Sequence, residues 1–179
     1  MKKSLSVLVT AAVLMAGAAH AEQNSKDVSA VLAVTGKAFI PESVCSVELS
    51  PTSISLESTI EDLRPQGTTV LPTDIVNLSV IGDNDCNTLI SGGKIAYRFV
   101  GVADSKTGEV LANADTSEGA ATGVGVGIYS IYGKPIALNA DKVDITTDKF
   151  GLRLVSLDQS EPATMGNVSS TLTVQIERL

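Results

Sequence analysis

The chain has 179 residues, with 13 basic against 20 acidic side chains, one histidine, two cysteines and no tryptophan. A net charge of −7 argues against nucleic acid or an anionic lipid surface as partner. The inventory for catalysis is thin, because the one histidine, His20, falls inside an N-terminal targeting signal.

That signal occupies residues 1–21. Lys2 and Lys3 form a basic start, residues 5–15 a short apolar core, and Ala19-His20-Ala21 supplies small residues for cleavage. The apolar run is too short to span a bilayer and no stop-transfer pattern follows. Cleavage after Ala21 removes two basic residues and no acid, so the mature chain is more acidic still and has no imidazole. Ser-His-Asp and Cys-His catalysis are thereby excluded, and the usual zinc sites lose their commonest ligand.

After a polar leader, 22–26, comes "DVSAVLAVTG". Val28, Ala30, Leu32 and Val34 alternate with Ser29, Val31, Ala33 and Thr35, as strand residues do. Cys45 and Cys86 follow. An exported chain with two cysteines most simply forms one disulfide, which in the chain-entropy picture adds about 4 kcal/mol for a loop of this length. The alternative is a pair of buried free thiols.

"SISLESTIEDL" reads as a strand at 53–56 and then a single helical turn carrying Ile60 and Leu63. "DIVNLSV" sets Ile75, Asn77 and Ser79 against Val76, Leu78 and Val80. Gly82-Asp83-Asn84-Asp85 reads as a hairpin turn, in which Asp and Asn bond their own backbone. "KIAYRFV" sets Ile95, Tyr97 and Phe99 against Ala96, Arg98 and Val100. "GAATGVGVG" at 119–127 lacks the Gly-Lys-Ser/Thr ending of a phosphate loop and leads into Ile128-Tyr129, so it reads as a strand. Val124, Val126 and Ile128 then share one face, and the glycines opposite admit a close neighbour. "FGLRLVSL" and "STLTVQI" are the last two strand patterns. Many short strands between frequent turn signals predict an all-β sandwich in one domain.

Two acidic groups have the composition for glycoside hydrolysis or calcium binding: Asp83 with Asp85, and Asp141 with Asp144 and Asp148. The first lacks the ligand register of an EF-hand, and both read better as turn residues. The sequons at Asn77 and Asn167 read as chance.

Several stretches in order resemble subunits of chaperone–usher fimbriae, the type 1 pilin family: "LAVTG" ahead of Cys45, "LSPTSISLESTIEDLRPQG" after it, "IVNLSVIGDNDCN" around Cys86, "TGVGVGIYSIYGKPIAL", and "GNVSSTLTVQI" near the end. The resemblance implies an incomplete immunoglobulin-like sandwich that lacks its last strand. It divides the chain into a signal at 1–21, a donor-strand extension at 22–36 and a pilin β-sandwich at 37–179. It implies a structural subunit of a cell-surface fimbria, exported through the periplasm, with no enzymatic activity and no cofactor. Its partners would be a periplasmic chaperone, an outer-membrane usher and neighbouring pilin subunits, joined by strand addition. The donated face would be Val28, Ala30, Leu32, Val34 and Gly36, and the accepting groove would be edged by Leu172, Val174 and Ile176.

This chain differs from the family pattern at Ala30, where donors often carry glycine. It differs again near its end, where Ile176 stands in place of an aromatic residue. Two other readings compete. A carbohydrate-binding adhesin or tip module of the same fibre would want aromatic platforms, and three Tyr and three Phe supply few. A hydrolase would rest on Asp83 or Asp144.

Overall fold

A computed structural model describes Thr35, residues 44–158 and residues 162–179. Thr35 apart, these belong to one of the chain's two units, Pro41–Leu179. The signal and the residues Val28, Ala30, Leu32, Val34 and Gly36 lie outside the described residues.

Among the described residues, the chain forms nine strands in two sheets. The larger sheet runs in the order β1 (Cys45–Ser50), β3 (Asp74–Gly82), β8 (Lys149–Ser156), β6 (Val124–Tyr129), β5 (Leu111–Ala112), with β2 (Arg64–Pro65) paired in parallel to the end of β8. The smaller sheet is β7 (Lys142–Asp144), β4 (Ile95–Gly101), β9 (Leu172–Arg178). All pairings but that of β2 are antiparallel. This is an immunoglobulin-like β-sandwich, the predicted class.

Alternation decides which side chains fill the space between the sheets. Val76 and Leu78 of β3 point in while Ile75, Asn77 and Ser79 stay exposed. Ile95, Tyr97 and Phe99 of β4 meet Phe150 and Leu152 of β8 in one core. Phe99 and Phe150 pack edge to face across the sheets, with ring centroids 4.9 Å apart.

Strand β6 is buried on both sides. Val126 and Ile128 face the main core. On the other side Gly127 lies under the Tyr129 ring: a Cβ at Gly127 would come within 2.7 Å of that ring. Tyr129 joins Val110 and Val155, with Val70 and Leu157, in a smaller outer cluster. Residues 62–72 cover this face. Arg153 donates to the carbonyls of Asp62 and Leu71, and Val70 N–H donates to the Gly133 carbonyl. Gly151 leaves room for Pro72, whose Cβ and Cγ lie 2.2 Å from where a Cβ at Gly151 would stand. Gly125 meets the sequence expectation of a close neighbouring backbone: a Cβ there would stand 2.8 Å from the Leu111 carbonyl oxygen.

Residues 82–85 do not make a hairpin turn. Asp83 caps an eight-residue helix, α1 (Asn84–Ser91), by accepting from Cys86 N–H at 2.7 Å, and Gly92 ends it. Cys86, fully buried within α1, forms the expected disulfide with Cys45 on β1. In "SISLESTIEDL" the helical turn appears as a 3₁₀ turn at Ile60–Asp62, but 53–56 joins no ladder. It keeps the burial rhythm of a strand, with Ile54 and Leu56 half-buried between exposed Ser53, Ser55 and Glu57.

Candidate functional site

The two sheets do not close on each other where β1 and β9 meet. Each strand is an edge, paired on one side to β3 or β4 and on the other to no described strand. Leu179 N–H donates to the Lys94 carbonyl at 2.8 Å, which continues the β4–β9 ladder. Antiparallel pairs alternate between bonded and non-bonded positions. Counting back from Leu179, the main-chain groups of Thr173, Gln175 and Glu177 turn to β4, and those of Leu172, Val174 and Ile176 turn to the open edge.

The same count works on β1. Leu78 N–H donates to the Asp148 carbonyl, so Val76 and Leu78 bond toward β8 and their odd-numbered neighbours toward β1. Ser46, Glu48 and Ser50 therefore pair with β3, while Cys45, Val47 and Leu49 offer their main chain to the open edge. These are also the apolar, inward-facing members of each strand. Cys45, Val47, Leu49, Leu172, Val174 and Ile176 all touch the core, and all are only half-buried. Side chains that point into a core remain half-wet where a layer of the sandwich is missing.

Between the two edges opens a cleft of about 640 Å³. Its floor is apolar core: Val76, Val126, Phe150 and Leu152. One wall is Leu49 with residues 51–57, from which Ile54 and Leu56 contribute apolar surface. The opposite wall is residues 166–168 and 170–172, including Val168 and Leu172. Glu57 is the one charged residue in the lining. A cleft with one carboxylate and no imidazole or thiol offers no acid–base pair, whereas an apolar floor between unpaired main-chain edges suits an extended peptide.

The two walls are built differently. The 166–172 wall is stitched in place. Asn113 Nδ2 donates to the carbonyls of Ala121 and Asn167, and its Oδ1 accepts from Ser169 N–H and Asp115 N–H. Asn167 N–H donates to the Gly119 carbonyl, and Ser170 Oγ to the Ala112 carbonyl. Gly166, at φ 155°, lies so close to this strip that a Cβ would stand 2.4 Å from Ala121 N. Among the described residues, 52–57 make no main-chain hydrogen bond to hold them. That wall has two apolar teeth, Ile54 and Leu56.

The acidic groups do structural work. Asp83 accepts from Cys86 N–H and Val44 N–H; those bonds, the first foremost, hold its carboxyl below the ordinary value. Asp141 accepts from Ala137 N–H at 2.8 Å, and Asp144 from Thr146 N–H at 2.8 Å. Among the described residues, no three metal-ligating side chains gather, and no helix is long and apolar enough to cross a membrane.

Of the residues singled out in the sequence, Leu172 lines the cleft; Val174 and Ile176, further along β9, and Cys45 on β1 touch the core but are not part of the cleft lining. Sequence reasoning missed Ile54, Leu56 and the Asn113 stitches. The alternation in "SISLE" carried the signal for the first two. Nothing marked Asn113, whose partners other than Asp115 lie 8 to 56 residues away.

Among the described residues, fold and cleft together define a β-sandwich with an open strand position at its edge. The chain is similar to the solved P pilus rod subunit PapA, at 18% identity over 82% of this chain and 100% of that one, with a TM-score of 0.48. It is also similar to an antigen and type I fimbria protein of Burkholderia pseudomallei, at 16% identity over 76% and 96% of the two chains, with a TM-score of 0.39. No protein-family model matches the chain, and no curated protein sequence does.

Proposed function

We propose that the protein is a structural subunit of a cell-surface fimbria, polymerised when each copy inserts an N-terminal strand into the cleft of the next. The observation that carries this reading is the unfilled strand position: two sheet edges whose inward-facing residues remain half-buried, flanking an apolar cleft. The sequence supplies a matching donor. Val28, Ala30, Leu32 and Val34, with Gly36, present one apolar face ahead of the fold. Strand addition uses main-chain bonds for affinity and alternate side chains for fit, and the cleft offers both. Burying Val28, Leu32 and Val34 contributes roughly 1.5–3 kcal/mol each as an upper estimate.

On this reading Leu172, Val174 and Ile176 line one side of the inserted strand, and Ile54 and Leu56 the other. A periplasmic chaperone occupies the cleft before assembly, and an outer-membrane usher exchanges it for the next subunit. The protein acts without cofactor and without catalysis.

The test is a full chain lacking residues 22–36 after its signal. It is expected to accept a synthetic peptide of residues 22–36 but to fail as the incoming subunit, so that cells making it alone show no fibres by electron microscopy. Normal fibres from the truncated chain would overturn the reading.

A further inference from the structure

One side chain on the back of the cleft's floor holds the far end of its unstitched wall. Phe150, Leu152 and Leu154 of β8 line the cleft. Arg153 lies between the two leucines and turns to the other face of the sheet. There Nη2 donates to the Asp62 carbonyl at 3.0 Å and Nη1 to the Leu71 carbonyl at 3.3 Å. The side chain is half-buried, and its Nε is fully so. Asp62 closes the 3₁₀ turn that follows the wall. Thr59 caps that turn: its Oγ1 accepts from Asp62 N–H at 3.3 Å and donates to Asp62 Oδ2 at 2.8 Å. Every residue from Ser50, the end of β1, to Asp62 is described, and the wall, 51–57, hangs between those two points.

We propose that Arg153 is a positioning residue for the cleft, its guanidinium mooring the far end of the 51–57 wall to the strand that also forms the floor. This inference rests on the assembly reading above. The near end of the wall is fixed by the β1–β3 ladder, where Ser50 pairs with Asn77. Beyond the wall, the chain joins no ladder until β2 pairs with β8 at Arg64. Arg153 catches it at Asp62, two residues sooner. Each residue left unfixed widens the range of positions open to Ile54 and Leu56, and that freedom is given up when a strand enters. Floor and wall then keep a set spacing because β8 governs both, one with its inward leucines and the other with its outward arginine. The planar fork meets the Asp62 and Leu71 carbonyls at once, so a lysine is not its equal.

The test uses the full chain with Arg153→Met, which keeps an apolar stem and removes the donors, and with Arg153→Lys. A control, Ile145→Val, trims a core side chain that is not in the cleft lining. The chain's two cysteines are joined to each other, so cysteines placed by Ser55→Cys on the wall and Ser79→Cys on β3 take nitroxide labels. Electron–electron double resonance then reads the wall against the sheet. The expected result is a broader distance distribution in Arg153→Met, which narrows again when a synthetic peptide of residues 22–36 is added. In isothermal titration the same peptide should bind about fivefold more weakly to Arg153→Met and less so to Arg153→Lys. Ile145→Val should lose stability to denaturant and bind like the parent. An unchanged distribution in Arg153→Met, or equal loss of binding in Ile145→Val, would overturn the proposal. Should Arg153→Met fail to fold, Arg153→Lys carries both comparisons. If the parent binds no peptide, the assembly reading fails and the positioning role fails with it. If the parent binds and the Arg153 variants bind equally well, the positioning role alone fails.

Discussion

Asn113 Nδ2 donates to the Asn167 carbonyl at 2.9 Å across 54 residues of sequence. With its bonds to Ala121 and Ser169, this side chain holds one lip of the cleft to the strip after β5. Asn113→Ala leaves main-chain groups at that lip unpaired. The expected cost is about 2 kcal/mol in chemical denaturation. A synthetic peptide of residues 22–36 should also bind more weakly, because a loosened lip must be ordered when the strand enters.

Leu56 makes the opposite case. It lines the wall that, among the described residues, no main-chain bond holds, and it is only half-buried. Leu56→Glu should therefore change the stability of the unfilled chain by less than about 1 kcal/mol, within the range of surface substitutions. The same change should weaken binding of the 22–36 peptide at least about tenfold, since a carboxylate would be buried beside the apolar strand face. Isothermal titration of parent and variant separates the two effects. Equal affinity would remove 51–57 from the site.

These two residues mark how far the sequence could be read. Period-two alternation placed the inward faces of β3 and β9, because one side of each meets the core and the other is wetter; in β4 it placed Ile95, Tyr97 and Phe99, although Ala96 on the opposite face is buried as well. Glycine spacing foretold the close approaches to β6. The helix α1 was not legible: its run, "NDCNTLIS", shows no clear apolar stripe, and its cap, Asp83, is also a common turn residue. The lip held by Asn113 and the covering of Tyr129 and Val155 by residues 62–72 depend on distant partners, which local pattern does not encode. The open edges were implied by family resemblance. They become a physical feature only when the ladders can be counted.

Asp104 gives the fold an acid limit. It is buried, at 5% exposure; desolvation alone would raise its pKa. The N–H groups of Thr107, Lys106 and Val110, with the Gln66 amide, outweigh that and hold the carboxyl below its ordinary value of 3.8. A folded pKa below the unfolded one means the contribution is complete above pH 3.8 and is lost as pH falls from there through the folded value. Asp83, Asp115, Asp144 and Glu177 shift in the same direction. Thermal midpoints of the parent should thus fall steeply in that window, and Asp104→Asn should show a lower plateau with a shallower acid limb. An unchanged acid limb would contradict the account of Asp104.

The disulfide ties one edge of the opening to α1. Replacing both Cys45 and Cys86 by Ala should cost about 2–5 kcal/mol in equilibrium unfolding and accelerate hydrogen exchange along β1 before β8. Uniform acceleration through both sheets would show that β1 is not the element the bond secures.

The origin of the strand in the cleft can be read by isotope. Equal amounts of ¹⁴N- and ¹⁵N-labelled chains, carrying a photo-crosslinker at Leu32, are assembled together, irradiated and digested for mass spectrometry. The account predicts crosslinks from position 32 to the segments 49–57 or 166–176 in which ¹⁴N and ¹⁵N peptides are joined as often as like with like. Crosslinks to those segments made only between peptides of the same isotope would mean that each chain fills its own cleft, and the account would be wrong.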